Sequence, residues 1–192
     1  GLGVFAACCF LLFATSAVYH VFDHGTAIRE LFRRLDHAAI FLLIAGTFTP
    51  VHAIVFRGPW RWGVLAGIWL AALTGAVFKT VYFDVLPEAA GIAVYLGLGW
   101  LGGVSAYIVA RHHGFRLVRP AVLGGLAYTI GGLIGFAHQP VPVPGIVGSH
   151  ELFHLASLLG LYWWWRFMAG IADCPPIRDP LRAVPGPRPG HV

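Results

Sequence analysis

Apolar residues gather into six long runs, at 1–22, 37–56, 61–82, 89–110, 120–138 and 149–172. Each run is near the length of about 20 residues that an α-helix needs to cross the hydrocarbon core of a bilayer. The breaks between them are short and polar. Residues 23–35 carry Asp23, Arg29, Glu30, Arg33 and Arg34. Arg57-Gly58-Pro59 parts the second run from the third, Asp84 to Glu88 includes Pro87, residues 111–120 are basic, and 139–148 are rich in proline. The pattern predicts an all-α, polytopic transmembrane helix bundle of six spans in one domain, 1–172. The last twenty residues hold six prolines and almost no apolar periodicity, so 173–192 reads as a disordered tail.

Composition agrees with this reading. Of 192 residues 58% are hydrophobic and 11% charged, against about 25% charged in a soluble domain. The formal net charge is +5. The basic residues lie in short inter-helix segments and the tail, with no basic helix face. They read as topology signals and lipid headgroup contacts, and nucleic acid is not expected as a partner. Cys8 and Cys9 are adjacent in an apolar run, where small side chains pack, and Cys174 is in the tail; no pair has disulfide or C-x-x-C spacing. Gly63/Gly67, Gly99/Gly103 and Gly131/Gly135 are small-xxx-small pairs, expected to let helices approach closely in lipid. Trp163, Trp164 and Trp165 with Arg166 predict an interfacial belt where the last helix leaves the membrane.

Six polar residues stand out from this apolar background. They are Ser16 and His20, Asp36 and His37, and His150 and His154. Ser16/His20 and His150/His154 are each spaced four apart, so each pair shares a helix face. Imidazoles at that spacing are a common grip on a transition metal, zinc above all. Adjacent spans alternate in direction, so the end of the first, the start of the second and the start of the sixth lie near one membrane face. A single histidine in a helix is ordinarily a hydrogen-bonded packing residue. Three at one depth predict a shared site, with His20, His150 and His154 as metal ligands and a fourth position open for water. Asp36 could hold or deprotonate that water, and Ser16 could support the water, Asp36 or a developing oxyanion. His37 points about 100° away from Asp36 on a helix. His24 sits in a loop, His138 is an outlying candidate on the same face, and His52, His112, His113 and His191 read as interface or loop residues.

The motifs Ser16-x-x-Tyr19-His20, Arg34-Leu35-Asp36-His37-Ala38-Ala39-Ile40, Leu43 to Pro50 (L-I-A-G-T-F-T-P), Gly124 to Thr129 (G-G-L-A-Y-T) and His150-xxx-His154 resemble the hemolysin III family. That family sits with the progestin and adipoQ receptors and, more distantly, the alkaline ceramidases. The resemblance implies a seven-helix membrane fold with zinc on His20, His150 and His154, and with Ser16 and Asp36 beside the metal and its water. It implies a further helix upstream of Gly1, carrying no ligand. It also implies an integral multi-pass protein, of a bacterial plasma membrane, that hydrolyses a lipid amide or ester, with membrane lipids and a lipid-like substrate as partners.

Other functions fit parts of the pattern. The zinc could be structural in a ligand-sensing receptor, and the family name suggests a cytolysin. His150-Glu151-Leu152-Phe153-His154 also reads H-E-x-x-H, the motif of zinc proteases in which the glutamate is the general base. Orientation is weakly marked. Nine Lys/Arg lie on the side opposite the histidines and four (Arg29, Arg33, Arg34 and Lys79) on theirs. This favours an outward-facing cluster, whereas adiponectin receptors, by resemblance, carry the metal on the cytoplasmic side.

Overall fold

Each apolar run folds as a helix, and the computed structural model describes residues 1–144 and 146–181. The helices are α1 (Leu2–Val21), α2 (Ala27–Val55), α3 (Pro59–Val81), α4 (Glu88–Trp100), α5 (Gly102–His113), α6 (Phe115–Ala137) and α7 (Ser149–Ile171). No named strand occurs among the described residues. Helices α4 and α5 lie end to end, with Leu101 between them still in right-handed helical conformation, so they make one span. Five spans (α1, α2, α3, α4–α5 and α6) are long and apolar enough to cross a membrane. Helix α7 has the 23 residues of α3 and α6, and its two histidines, Glu151 and Arg166 lower its hydropathy. The arrangement is an all-α polytopic bundle.

Two of the sequence-predicted breaks are shorter in the structure. Helix α2 starts at Ala27, ten residues before the apolar run, because Thr26 caps it. The Thr26 hydroxyl accepts from the Arg29 N–H at 3.4 Å and donates to the Asp23 carbonyl at 2.9 Å. The charged first turns then find partners. Arg33 and Arg34 reach Asp84, in the α3–α4 connection, at 3.0 and 2.5 Å. The basic stretch after 110 is likewise helical except at Gly114, whose φ of 91° turns the chain between α5 and α6.

Helix α2 is the axis of the bundle. Of its most apolar stretch 61% is buried, against 17% to 28% for the other four candidate spans. Helices α1, α3, α4 and α7 pack against it, and α6 pairs with α7. Gly46 brings α1 close, since a Cβ there would lie 2.9 Å from Cys8 Cβ and Sγ. Polar bonds tie the outer helices down. Trp69 donates to Thr49 at 3.0 Å, Tyr95 to the His37 carbonyl at 3.0 Å, and Trp100 to Thr129 at 2.9 Å. The outer surface is apolar, with Phe10, Leu70, Val94 and Ile130 exposed, while His52, Lys79 and Ser105 are buried. That is the inverse of a soluble protein and suits lipid.

Three expectations change. Of the glycine pairs, only Gly131/Gly135 packs as expected. A Cβ on Gly131 would meet the Ala156 methyl at 2.7 Å and one on Gly135 the Phe153 ring at 3.6 Å, whereas Gly63, Gly67 and Gly99 have nothing within 4 Å. The three tryptophans diverge, because consecutive helical positions turn by about 100°. Trp165 is exposed and Trp164 packs into the core. Finally, the chain stays against the bundle beyond 172. Ile177 is buried, donates to the Val55 carbonyl at 2.6 Å and accepts from the Arg57 N–H at 3.1 Å. The rest of the expected tail, 182–192, lies outside the described residues.

The glycines offer a paired test. Gly131→Ala should lower the melting temperature in detergent, at a cost of about 1–3 kcal/mol, because the new methyl overlaps Ala156. Gly63→Ala should leave it unchanged or raise it, by up to about 1 kcal/mol, because it only restricts the unfolded chain.

Candidate metal centre

Helix α1 carries His20 in its last turn, and α7 carries His150 and His154 in its first two. The two helices meet over α2, where Phe5, Cys8, Leu43 and Met168 form a shared core cluster. Arg29 fixes the end of α1. Its guanidinium stacks on the Tyr19 ring at 4.6 Å and donates to the Tyr19 and Phe22 carbonyls. The chain order therefore delivers an imidazole from residue 20 to two from residues 150 and 154.

The three rings converge on their Nε2 atoms. His150 Nε2 is 3.1 Å from His20 Nε2 and 3.0 Å from His154 Nε2. One ligating atom from each histidine lies within 4.8 Å of the others, and among the described residues no carboxylate belongs to the group. The rings lie edge-on or tilted, with His20 and His154 at 78° and His150 and His154 at 83°. A neutral imidazole offers one donor and one acceptor. Three Nε2 atoms facing one another cannot all be satisfied by mutual hydrogen bonds, whereas one cation accepts all three lone pairs.

Asp36 is not a member of this group. The Ser16 hydroxyl, on the buried face of α1 one turn before His20, faces the Asp36 carboxylate across the α1–α2 contact. Tyr95, on α4, donates instead to the neighbouring His37 carbonyl. His37 points elsewhere: its Nδ1 is 2.9 Å from the Arg33 carbonyl and its ring meets Phe83 edge-on. His138 lies 3.8 Å from Glu88 and takes no part in the histidine group.

Glu151 is committed to the backbone. Its Oε2 accepts the Gly148 N–H at 2.8 Å, the return half of a capping box at the α7 N-terminus. An H-E-x-x-H protease needs that carboxylate at the attacking water. Here it closes the helix end.

His52 was expected at an interface or in a loop and is instead among the most buried side chains, at 1% exposure. Its position in the sequence, two residues after Pro50 within an apolar run, is the signal that could have marked it. Tyr128, from the G-G-L-A-Y-T motif, is a second buried polar group, and its hydroxyl has no partner among the described residues. The ring is clamped against Gly160, where a Cβ would lie 2.9 Å away.

The family described as Haemolysin-III related matches residues 1–165. Hemolysin-3 of Bacillus cereus is 36% identical over 160 residues, covering 82% of this chain and 68% of the relative. The Hemolysin-3 homolog of Bacillus subtilis (strain 168) is 32% identical over 160 residues, covering 82% and 70%. The heptahelical transmembrane protein ADIPOR3 of Oryza sativa subsp. japonica is 29% identical over 170 residues, covering 80% of this chain and 41% of the relative. No solved structure matches.

The cap assignment for Glu151 predicts a stability effect. Glu151→Ala should cost about 1 kcal/mol and speed amide exchange in the first turn of α7, since the Gly148 N–H loses its acceptor. Hydrogen exchange followed by mass spectrometry reads this directly, and Glu151→Gln should retain most of the protection.

Proposed function

The chain belongs to the haemolysin-III related family, and from that premise we propose an integral membrane zinc-dependent hydrolase of a lipid amide or ester. The observation that carries the reading is the convergence of three imidazole Nε2 atoms at 3.0 and 3.1 Å. Nitrogen ligands of a tetrahedral zinc at its usual bond length stand about 3.3 Å apart, close to these two separations. An all-imidazole set without carboxylate also suits zinc better than magnesium or calcium. When bound, zinc would supply Lewis-acid polarisation of a carbonyl and of an attacking water.

The protein groups around it have distinct tasks. His20, His150 and His154 would hold the ion from two helices locked to α2. Asp36 would accept the proton of the attacking water and pass it to the leaving amine or alcohol. Ser16 would donate to Asp36 and keep one carboxylate oxygen aimed at the water. The lipid-facing surface would admit a substrate from the bilayer, and two Bacillus relatives support a location in a bacterial plasma membrane. The capping role of Glu151 weighs against the protease reading.

Purified protein should contain about one zinc per chain by elemental analysis. His20→Ala, His150→Ala and His154→Ala should each lose it, and His112→Ala should not. Absence of zinc, or equal retention in all four variants, would overturn the metal assignment. A second measurement separates the hydrolytic roles, with ceramide-like amides, lipid esters and a membrane peptide as substrates. Asp36→Asn should cut lipid turnover by at least about 100-fold with zinc retained, and Glu151→Gln by no more than about twofold. Peptide cleavage lost only in the Glu151 variant would instead establish a protease.

A further inference from the structure

On the membrane face opposite the three histidines lies a second pair of reactive side chains. His52, in the last turn of α2, is 1% exposed, and Ser105, on α5, is 8% exposed. His52 Nδ1 is 2.9 Å from the Trp60 carbonyl oxygen and its Nε2 is 3.0 Å from Ser105 Oγ. A carbonyl oxygen only accepts, so Nδ1 carries the ring proton and Nε2 is left as acceptor for the Ser105 hydroxyl. This is the tautomer that a general base needs beside a serine nucleophile, with Trp60 in the orienting role. Phe48 and Phe56 stack on the imidazole at interplanar angles of 16° and 19° and fix its plane.

Ser105 also forms part of the wall of a cleft of about 290 Å³ between α3 and the α4–α5 span. Phe48, Ile68 and Leu98 are buried at its floor, while Leu101 and Val104 at its rim are 53% and 57% exposed. Its mouth thus opens on the outer surface of the bundle, which in a membrane faces acyl chains. Leu101, where α4 passes into α5, stands on that rim. Along α3 the lining runs from Trp60 to Ala71, about 17 Å of helix. The cleft therefore starts near the interface, beside His52, and descends towards the bilayer midplane. Apart from the Ser105 hydroxyl its lining side chains are apolar or aromatic. A lipid acyl chain fits this shape and chemistry, with its ester carbonyl at the interfacial end.

We propose that Ser105 and His52 form a second, metal-independent nucleophilic centre that cleaves an ester of a membrane lipid whose acyl chain occupies the α3–α4–α5 cleft. Ser105 Oγ attacks the ester carbonyl carbon while its proton passes to His52 Nε2. The carbon–oxygen bond of the ester breaks, and the departing alcohol takes that proton. Water, deprotonated by His52 Nε2, then attacks the Ser105 acyl ester. This releases the fatty acid and restores the serine with its proton.

The test uses the full chain in phosphatidylcholine nanodiscs and a long-chain alkyl fluorophosphonate, with adducts located by peptide mass spectrometry. The expected result is one adduct on Ser105, formed about 100-fold more slowly in His52→Gln and at an unchanged rate after divalent metals are chelated. Ser105→Ala should abolish the adduct and leave the metal content intact, which separates this centre from the three-histidine site. Should Ser105→Ala fail to fold, Ser105→Cys keeps the volume. Its new thiol should react with a long-chain haloacetamide faster than Cys8, Cys9 and Cys174, and more slowly once His52→Gln is added. No adduct on Ser105 in folded protein overturns the proposal. So does a rate indifferent to His52→Gln in both the serine and cysteine forms, or a rate lost on chelation.

Discussion

The burial of α2 is the constraint on which the other features depend. Helices α1 and α7 are 130 residues apart at the histidine contact, and each finds its place by docking on α2. The Cys8–Gly46 approach sets how near α1 can come, and Leu43 with Met168 sets the seat of α7. Three imidazoles can converge only because both seats are fixed to one rigid rod. The same rod carries Asp36 near one end and His52 near the other. Displacing α2 would disturb both polar sites at once, although they lie on opposite membrane faces.

Polar groups inside the bundle are few and mostly paired. In lipid, helices gain little from apolar contact with one another, because the tails are equally apolar. Small residues at close approaches and single interhelical hydrogen bonds supply the cohesion. Trp69 to Thr49, Tyr95 to the His37 carbonyl and Trp100 to Thr129 each join two different helices. The end of α2 is closed by Arg57 and Arg61, which donate to the carbonyls of Ala53, Ile54 and Phe56. Cations there also complement the negative end of the helix dipole.

The membrane class, the helical character of the six apolar runs and the histidines that meet were legible from hydropathy and i,i+4 spacing. Alternating span direction was enough to put His20, His150 and His154 at one depth. The misread parts share a cause: they depend on what a segment touches. The charged turn at 27–36 is helical because Thr26 caps it, and its Arg33 and Arg34 find Asp84 some fifty residues on. Gly63 and Gly67 carry the same spacing as Gly131 and Gly135, yet only the latter pair faces a helix. His52 looked peripheral because its partners, Trp60 and Ser105, lie on α3 and α5. Glu151 satisfies a protease pattern in sequence, and only the position of the Gly148 N–H reveals its capping role.

The docking of Ile177 on Val55 and Arg57 has a mechanical consequence. Helix α7 is held at both ends, to α1 by the histidine contact on one face and, through the segment after it, to α2 by this short bridge on the other. Helix α1 packs along α2 and α6 along α7, so the four make one continuous frame. Helix α3 and the α4–α5 span hang from that frame like a door leaf, joined to each other by few contacts. The part of the fold where the three histidines meet is thus braced at both ends, whereas the two walls of the cleft are held to each other by few contacts.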